Sequence, residues 1–241
     1  NIYLLTNFFP NCKWILYDPN KFYDFLYKNS NIIEVNNKLF CDKDCINLHN
    51  KYKNKYLLFI SDIRIDSDEH SIERDNSLQK KWVELLKPNY AQLKFRLSRL
   101  CNKYIYFDGT IYFQSYAPTT STESRLVING KKLKYKNYDY NDYDNVLYTF
   151  NRQLRPAYYR NNYKIKYLDH CHDCCFFIKL IEDYKHDYNN LLKQYKINYK
   201  LNSKIALLSI EKIINYIYNN IPNLKLRLKN YNDTILKNLH Y

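Results

Sequence analysis

Apolar runs short enough to be strands alternate with stretches of helical spacing through the first half of this chain, and two of those runs close on an acid. KWILYDP at 13–19 ends on Asp18 and Pro19, and KYLLFISD at 55–62 ends on Asp62. Between and after them, FYDFLYKN at 22–29 reads as a short helix and NIIEV at 31–35 as a strand. An amphipathic helix is predicted over 71–87, with Ile72, Leu78, Trp82, Leu85 and Leu86 at helical spacing and Pro88 stopping it. AQLKFRL at 91–97, YIYFDGTIYFQSY at 104–116 and SRLVING at 124–130 read as strands, with Asp108-Gly109 as a hairpin signal. Helices are expected near 1–9, 141–154, 170–195 and 203–220. Strand–helix alternation predicts an α/β fold, a mostly parallel sheet with helices on both faces. With no repeat or glycine/serine linker to divide it, the whole of 1–241 is expected to be one domain.

Only two glycines occur, Gly109 and Gly130, so neither GxGxxG nor GxxxxGK[ST] is present and the chain carries no dinucleotide or P-loop fingerprint. Its 38 Lys and Arg against 24 Asp and Glu give a formal charge of +14, which predicts attraction to a polyanion. Nucleic acid is favoured over membrane, because no long apolar run or basic amphipathic anchor is evident. The plainer alternative is the codon bias of an AT-rich genome. The 28 tyrosines leave the same two readings open: rings interleaved with Lys, as in YKNYDYNDYDNVLY at 135–148, can stack on unpaired bases, or can fill a core with one wet edge. Seven cysteines without regular spacing argue against a disulfide framework.

In open α/β sheets ligands bind beyond the carboxyl ends of the strands. Asp62 at the end of FISDIR, Lys94 in QLKFR and Glu123 in APTTSTESR are therefore expected to form one polar cluster. Alternation puts Leu93, Phe95 and Leu97 on one face of their strand and Lys94 with Arg96 on the other. Arg125, two positions beyond Glu123, points to the same side, where it anchors the glutamate or an RNA phosphate. Asp18 is placed either to accept from the hydroxyls of a ribose or to cap the turn that follows it. DHCHDCC at 169–175 holds possible zinc ligands in His170, Cys171, His172, Cys174 and Cys175, but no second knuckle lies at a suitable distance and a metal is not expected.

In this order, KWILYD, FISDIR, the helix ending in LLKP, QLKFR and YAPTTSTESRL resemble the poxvirus cap-specific mRNA 2'-O-methyltransferases, which also serve as the small, processivity subunit of the viral poly(A) polymerase. The resemblance runs from about residue 1 to 220. It implies a Rossmann-like methyltransferase sheet, S-adenosylmethionine as methyl donor, capped mRNA as acceptor, no metal, and a catalytic polymerase subunit as partner. It also implies activity in the cytoplasm of an infected cell, with packaging in the virion as a further expectation. Three members of the family's Lys-Asp-Lys-Glu tetrad fall on Asp62, Lys94 and Glu123; its first lysine and the glycine-bearing donor loop are expected to precede Asn1. For the donor, the match implies Asp18 on the ribose hydroxyls, Leu39 and Phe40 around the adenine, and Ile63 beside it through its backbone. For RNA it implies Arg64, Arg96 and Arg125 on the backbone. In the cap pocket the family's sandwiching rings are replaced by Arg99 and Thr120, Asp144 matches a guanine-reading acid, and Tyr116, Tyr140 or Tyr143 offers a substitute ring.

Overall fold

The computed structural model describes residues 2–28, 31–157, 165, 168, 171–195 and 204–221. In chain order the first elements are α1 (Ile2–Phe8), β1 (Trp14–Tyr17), α2 (Asp24–Tyr27), β2 (Ile33–Asn36), α3 (Asp42–Tyr52), β3 (Leu58–Ser61), α4 (Glu69–Leu86) and β4 (Tyr90–Phe95). There follow β5 (Lys103–Phe107), β6 (Thr110–Phe113), β7 (Ser124–Asn129), β8 (Tyr135–Asp139) and α5 (Tyr140–Thr149), which runs on through a π-helical turn at Phe150–Leu154 into α6 (Arg155–Ala157). The last two are α7 (His172–Tyr195) and α8 (Ile210–Asn220). The fold is mixed α/β. The chain divides into two compact units, residues 1–39 with 157–241, and residues 40–156.

In the first unit β1 and β2 pair in parallel, Trp14 opposite Ile33 and Tyr17 opposite Asn36. The crossover between them contains α2, as a parallel pair requires a connection too long for a turn. Tyr184 of α7 donates its hydroxyl to the Phe8 carbonyl at 2.7 Å and packs edge-on against the Phe8 ring, which satisfies the end of α1. Ser209 caps α8 by accepting from the Lys212 amide, and Ile213, Ile214 and Ile217 form its buried stripe.

The second unit holds a four-stranded sheet in the order β3-β4-β7-β6 and a two-stranded antiparallel sheet of β5 and β8. Only β3 and β4 are parallel within the larger sheet; β7 runs antiparallel to both β4 and β6. The expected mostly parallel sheet is thus corrected to a mixed one. The apolar run at 55–62 lies at the edge of this sheet: among the described residues β3 pairs with β4 alone, and Leu58 and Ile60 are exposed. A short apolar run reads the same in sequence whether one or both of its edges are paired.

Asp108-Gly109 does not close a hairpin either. β5 pairs with β8 and β6 with β7, so these two residues carry the chain from one sheet to the other. Gly109 is required by close approach, since a Cβ there would lie 2.4 Å from the Val127 carbonyl oxygen and 2.7 Å from Ile128 Cγ2. The segments at 42–52 and 135–139, given no element above, are α3 and β8. Strand β8 was hidden by its composition: Lys136, Asn137 and Asp139 lie among the tyrosines, and only pairing with β5 makes the segment extended.

Helix α4 begins where its sequence allows, with Asp68 accepting from the Ser71 amide at 3.0 Å. It ends on Lys87, whose left-handed conformation (φ 49°) precedes Pro88. Its buried face is not wholly apolar. Beside Ile72, Val83 and Leu86 it carries Asp75, Asn76 and Gln79, each under 2% exposed. Gln79 donates to the Lys94 carbonyl at 2.9 Å and Asn76 to the Arg96 carbonyl at 2.8 Å, so this polar stripe takes up backbone acceptors along β4 and just beyond it.

The core centres on Phe95, whose ring meets Tyr106 at 5.5 Å, Tyr138 at 5.2 Å and Tyr143 at 5.5 Å. Each of these tyrosines is buried with its hydroxyl on a backbone carbonyl: Tyr106 on Asn76, Tyr138 on Phe107, Tyr143 on Phe95 and Thr122. Burial holds all three phenols above their ordinary range, Tyr138 at about 12. These three tyrosines are therefore core, tied down by hydrogen bonds rather than by a wet edge.

Candidate active site

Lys94 and Arg125 stand directly opposite one another on β4 and β7. Two cations in that relation repel, and the pair is tolerable only if anions are set between them. Two carboxylates supply that charge. Lys94 Nζ lies 3.4 Å from Asp62 Oδ1 and 3.3 Å from Glu123 Oε2, while the Arg125 guanidinium reaches Asp62 Oδ1 at 2.8 Å and Glu123 Oε1 at 3.4 Å. The result is a closed square of alternating charge. Lys94, Glu123 and Arg125 are 15%, 25% and 22% exposed, whereas Asp62 is 67% exposed and forms the open corner. The three residues singled out in sequence converge here, and Arg125 joins them.

Each corner is held by its own local structure. Lys94 projects from a strand whose Ala91, Leu93 and Phe95 are buried, so alternation leaves it no other face. Asp62 follows the last residue of β3. Beyond it the chain is fixed by Asp75, whose fully buried carboxylate accepts from the Ile65 amide at 3.0 Å. Glu123 is set by its loop: Ser121 Oγ accepts its amide, Tyr143 donates to the neighbouring Thr122 carbonyl, and Asn151 on the π-helical turn donates to the Ser121 carbonyl. Gln114, just past β6, donates to Glu123 Oε1 at 2.8 Å. Gln114, Asn151 and Asp75 are absent from the sequence reading, because no spacing rule connects them to the residues they hold.

The other arginines are placed differently. Arg64 turns inward, its guanidinium nitrogens shielded from solvent and 3.7 Å from Asp75. Burial lowers its affinity for the proton, opposed by the Asp75 and Glu123 charges. In this arrangement it supports the site from beneath and is withdrawn from a polymer at the surface. Arg96 pairs with Glu69 at 2.8 Å. The same carboxylate takes the Arg99 amide at 2.7 Å, and Arg99 Nε donates to the Tyr140 hydroxyl at 3.1 Å. That hydrogen bond, with the Glu69 and Asp144 carboxylates near it, raises Arg99 further above its ordinary value. Of the three tyrosines offered as a substitute ring, Tyr140 thus lies beside Arg99 and Asp144. Tyr143 is corrected to a core residue, Tyr116 is half-buried at a positive φ of 59°, and Thr120 is exposed.

A nucleoside donor asks for an acceptor facing vicinal hydroxyls and an apolar wall for the purine. Each unit carries one of these. In the first, Asp18 follows β1; its amide donates to the Asn36 carbonyl and its Oδ1 accepts from the Asn20 amide, so it does cap the turn. In the second, Phe40 and Ile63 pack in an apolar cluster with Cys45, Trp82 and Leu86, Phe40 meeting Trp82 edge-on at 5.0 Å. Leu39 is exposed. Phe40 is thus already engaged in packing.

Among the described residues no group of three His, Cys, Asp or Glu is arranged to hold a metal ion. Cys171 and Cys174 are buried and His172 Nδ1 lies 3.3 Å from Asp173 Oδ1, while His170 falls outside the described residues. No helix among them is long and apolar enough to cross a membrane.

A family model described as the poly A polymerase regulatory subunit matches residues 1–224. One solved structure similar to the chain is that of bluetongue virus VP4, described as a multifunctional RNA-capping production line. It is 19% identical, with a TM-score of 0.45, over 58% of this chain and 24% of that one. The chain thus spans about a quarter of the length of VP4. No curated protein sequence matches the chain.

Proposed function

The chain belongs to the poly A polymerase regulatory subunit family, a family that implies a catalytic polymerase subunit as partner, and from that premise we propose that it is also an S-adenosylmethionine-dependent mRNA cap 2'-O-methyltransferase on a Rossmann-like sheet. The observation that carries the proposal is the position of Lys94, nearly withdrawn from solvent and held between two carboxylates that a second cation bridges. An RNA clamp needs cations on its surface. It does not need two acids locked beside them.

A ribose 2'-hydroxyl is a poor nucleophile at neutral pH, so the reaction depends on a base that takes its proton as the new O–C bond forms. Lys94 in its neutral form is that base. Asp62 and Glu123 orient its amine, and Arg125 ties the two acids together so that neither swings away when Lys94 changes charge. S-adenosylmethionine, when bound, supplies a methyl group on a positive sulfur that leaves as a neutral thioether. The catalytic group most exposed to incoming substrate is Asp62, and it serves position more than charge, because the positive charge it faces disappears during transfer.

For the donor, Phe40 and the Ile63 backbone would lie about the adenine. For the acceptor, Tyr140 and Asp144 supply a ring and an acid within one patch, a ring to stack on a positively charged purine and an acid to read its edge, with Arg99 holding the Tyr140 hydroxyl. The capped first transcribed nucleotide of mRNA is therefore the proposed substrate. Methyl transfer from labelled S-adenosylmethionine to matched capped and uncapped short RNAs, with the methylated position mapped, tests this on the full-length protein. Transfer to the cap-adjacent 2'-oxygen of capped RNA is expected, and Lys94→Ala should abolish it with donor affinity nearly intact. Normal turnover by that variant removes Lys94 as base, and failure on both RNAs with RNA still bound leaves the polymerase-subunit role alone.

A further inference from the structure

An open groove of 480 Å³ lies in the second unit, running from beside the ion-pair square toward the amino end of β4, lined by Tyr90, Tyr112, Asp108, Lys132 and Lys134 among others. Strand register fixes its relation to the square. Tyr90 and Lys94 occupy alternate positions of β4, Arg125 stands opposite Lys94, and Tyr112 on β6 stands opposite Arg125. Residues directly opposite share a face, as do residues two and four apart along a strand. The groove and the square therefore lie on one face of one sheet. Tyr112 is one strand from Arg125, and Tyr90 is about 13 Å from Lys94 along β4.

The lining has an unusual combination of properties. Tyr90 and Tyr112 are 43% and 49% exposed, and among the described residues their hydroxyls have no hydrogen-bond partner and their rings no ring or cation contact. Lys132 and Lys134 are exposed, and among the described residues neither pairs with a carboxylate. Tyr135 nearby is the contrast, its hydroxyl given to Glu84 and its ring covered by Lys80 at 4.9 Å. A protein partner laid over the groove would have to desolvate two uncompensated ammonium groups, which is costly. A single-stranded polyanion meets every element at once: bases stack on the open rings, phosphates take the lysines, and the Asp108 carboxylate accepts from an exocyclic amine. Paired bases would present no free face to the tyrosines.

We propose that this groove is a second RNA subsite, holding unpaired nucleotides of the same strand whose ribose lies at Lys94. The inference rests on the reading of RNA as the substrate, and a binding measurement made without methyl donor separates the two. The experiment is fluorescence anisotropy on the full-length protein with unstructured RNAs of graded length, titrated with salt.

For RNAs long enough to reach the groove, Lys132→Ala with Lys134→Ala should lower the slope of log affinity against log salt by about 1.4, the amount expected for two lost single-strand phosphate contacts. Tyr90→Ala and Tyr112→Ala should each weaken binding about fivefold or more, and Tyr112→Phe, which keeps the ring, should bind within about twofold of the parent. For the shortest RNAs, which reach only the square, the Tyr90, Lys132 and Lys134 variants should bind as the parent does. Long-RNA affinity and slope unchanged in folded variants overturn the proposal, as does equal weakening for short and long RNA, which would mark general damage. Variants that bind all RNAs normally but lose a polymerase subunit also overturn it, and assign the groove to protein. Loss of methyl transfer in the parent with this length dependence intact would sink the methyltransferase reading and leave the subsite standing.

Discussion

Replacing Tyr143 by Phe removes one oxygen atom from the interior, and its effect follows from the hydrogen-bond arithmetic around it. The phenol lies within 3.1 Å of the Phe95 and Thr122 carbonyls and 3.0 Å of Ser124 Oγ, and Ser124 Oγ is itself 3.2 Å from the Phe95 carbonyl. One phenolic proton serves one carbonyl at a time. When it is lost, the Ser124 hydroxyl can satisfy Phe95, but Thr122 keeps no donor from this group. The expected cost is one unsatisfied, part-buried acceptor, about 1 kcal/mol, which in a chain of this size lowers the melting temperature by about 2–4 °C. Because the hydroxyls of Tyr143 and Ser124 share acceptors, a cycle of Tyr143→Phe, Ser124→Ala and the double variant should show coupling of about 0.5 kcal/mol or more. Glu123 sits between Thr122 and Ser124, so the single variant should also slow methyl transfer in proportion to how far its loop relaxes. Urea unfolding of the four proteins measures the cycle. A loss below about 0.5 kcal/mol, or strict additivity, would refute the claim that this phenol pins the Glu123 loop to the end of β4.

Two further perturbations test the core. Buried Tyr106, Tyr138 and Tyr143 hold their protons above the ordinary range, so the stability this confers is complete below about pH 10 and is lost as pH rises through the folded value, about 12 for Tyr138. Unfolding on an alkaline titration should coincide with a cooperative step in tyrosinate absorbance over that window, and unfolding with no such step would contradict the burial. Gly109→Ala should destabilise by about 1–3 kcal/mol, since its Cβ would meet the Val127 carbonyl and Ile128; thermal melting equal to the parent would mean that β6 and β7 separate freely.

The alternation in AQLKFRL was enough to assign Lys94 and Arg96 to one face and Leu93, Phe95 and Leu97 to the other, because a period of two is a property of the extended chain and needs no partner. Helix α4 was legible for the same kind of reason: its apolar spacing and Pro88 are local, although its observed start at Glu69 lies slightly before the expected one. The ordered motifs around Asp62, Lys94 and Glu123 likewise carried their own meaning. Partnership was not local. Nothing in the chain distinguishes a β3 paired on one edge from one paired on both, and Asp108-Gly109 reads as a hairpin until the register sends β5 to β8 and β6 to β7. The arginines divide along the same line. Arg64, Arg96 and Arg125 look alike as exposed cations near an acid, and it was tertiary packing that set Arg64 on buried Asp75, Arg96 on Glu69 and Arg125 across both acids of the site. Which side chains share a strand face follows from backbone period, and which acids end a strand from where an apolar run stops, so both are legible along the chain. Which charges neutralise one another is settled by folding, because a salt bridge or a buried carbonyl depends on distance in space and is indifferent to separation along the chain.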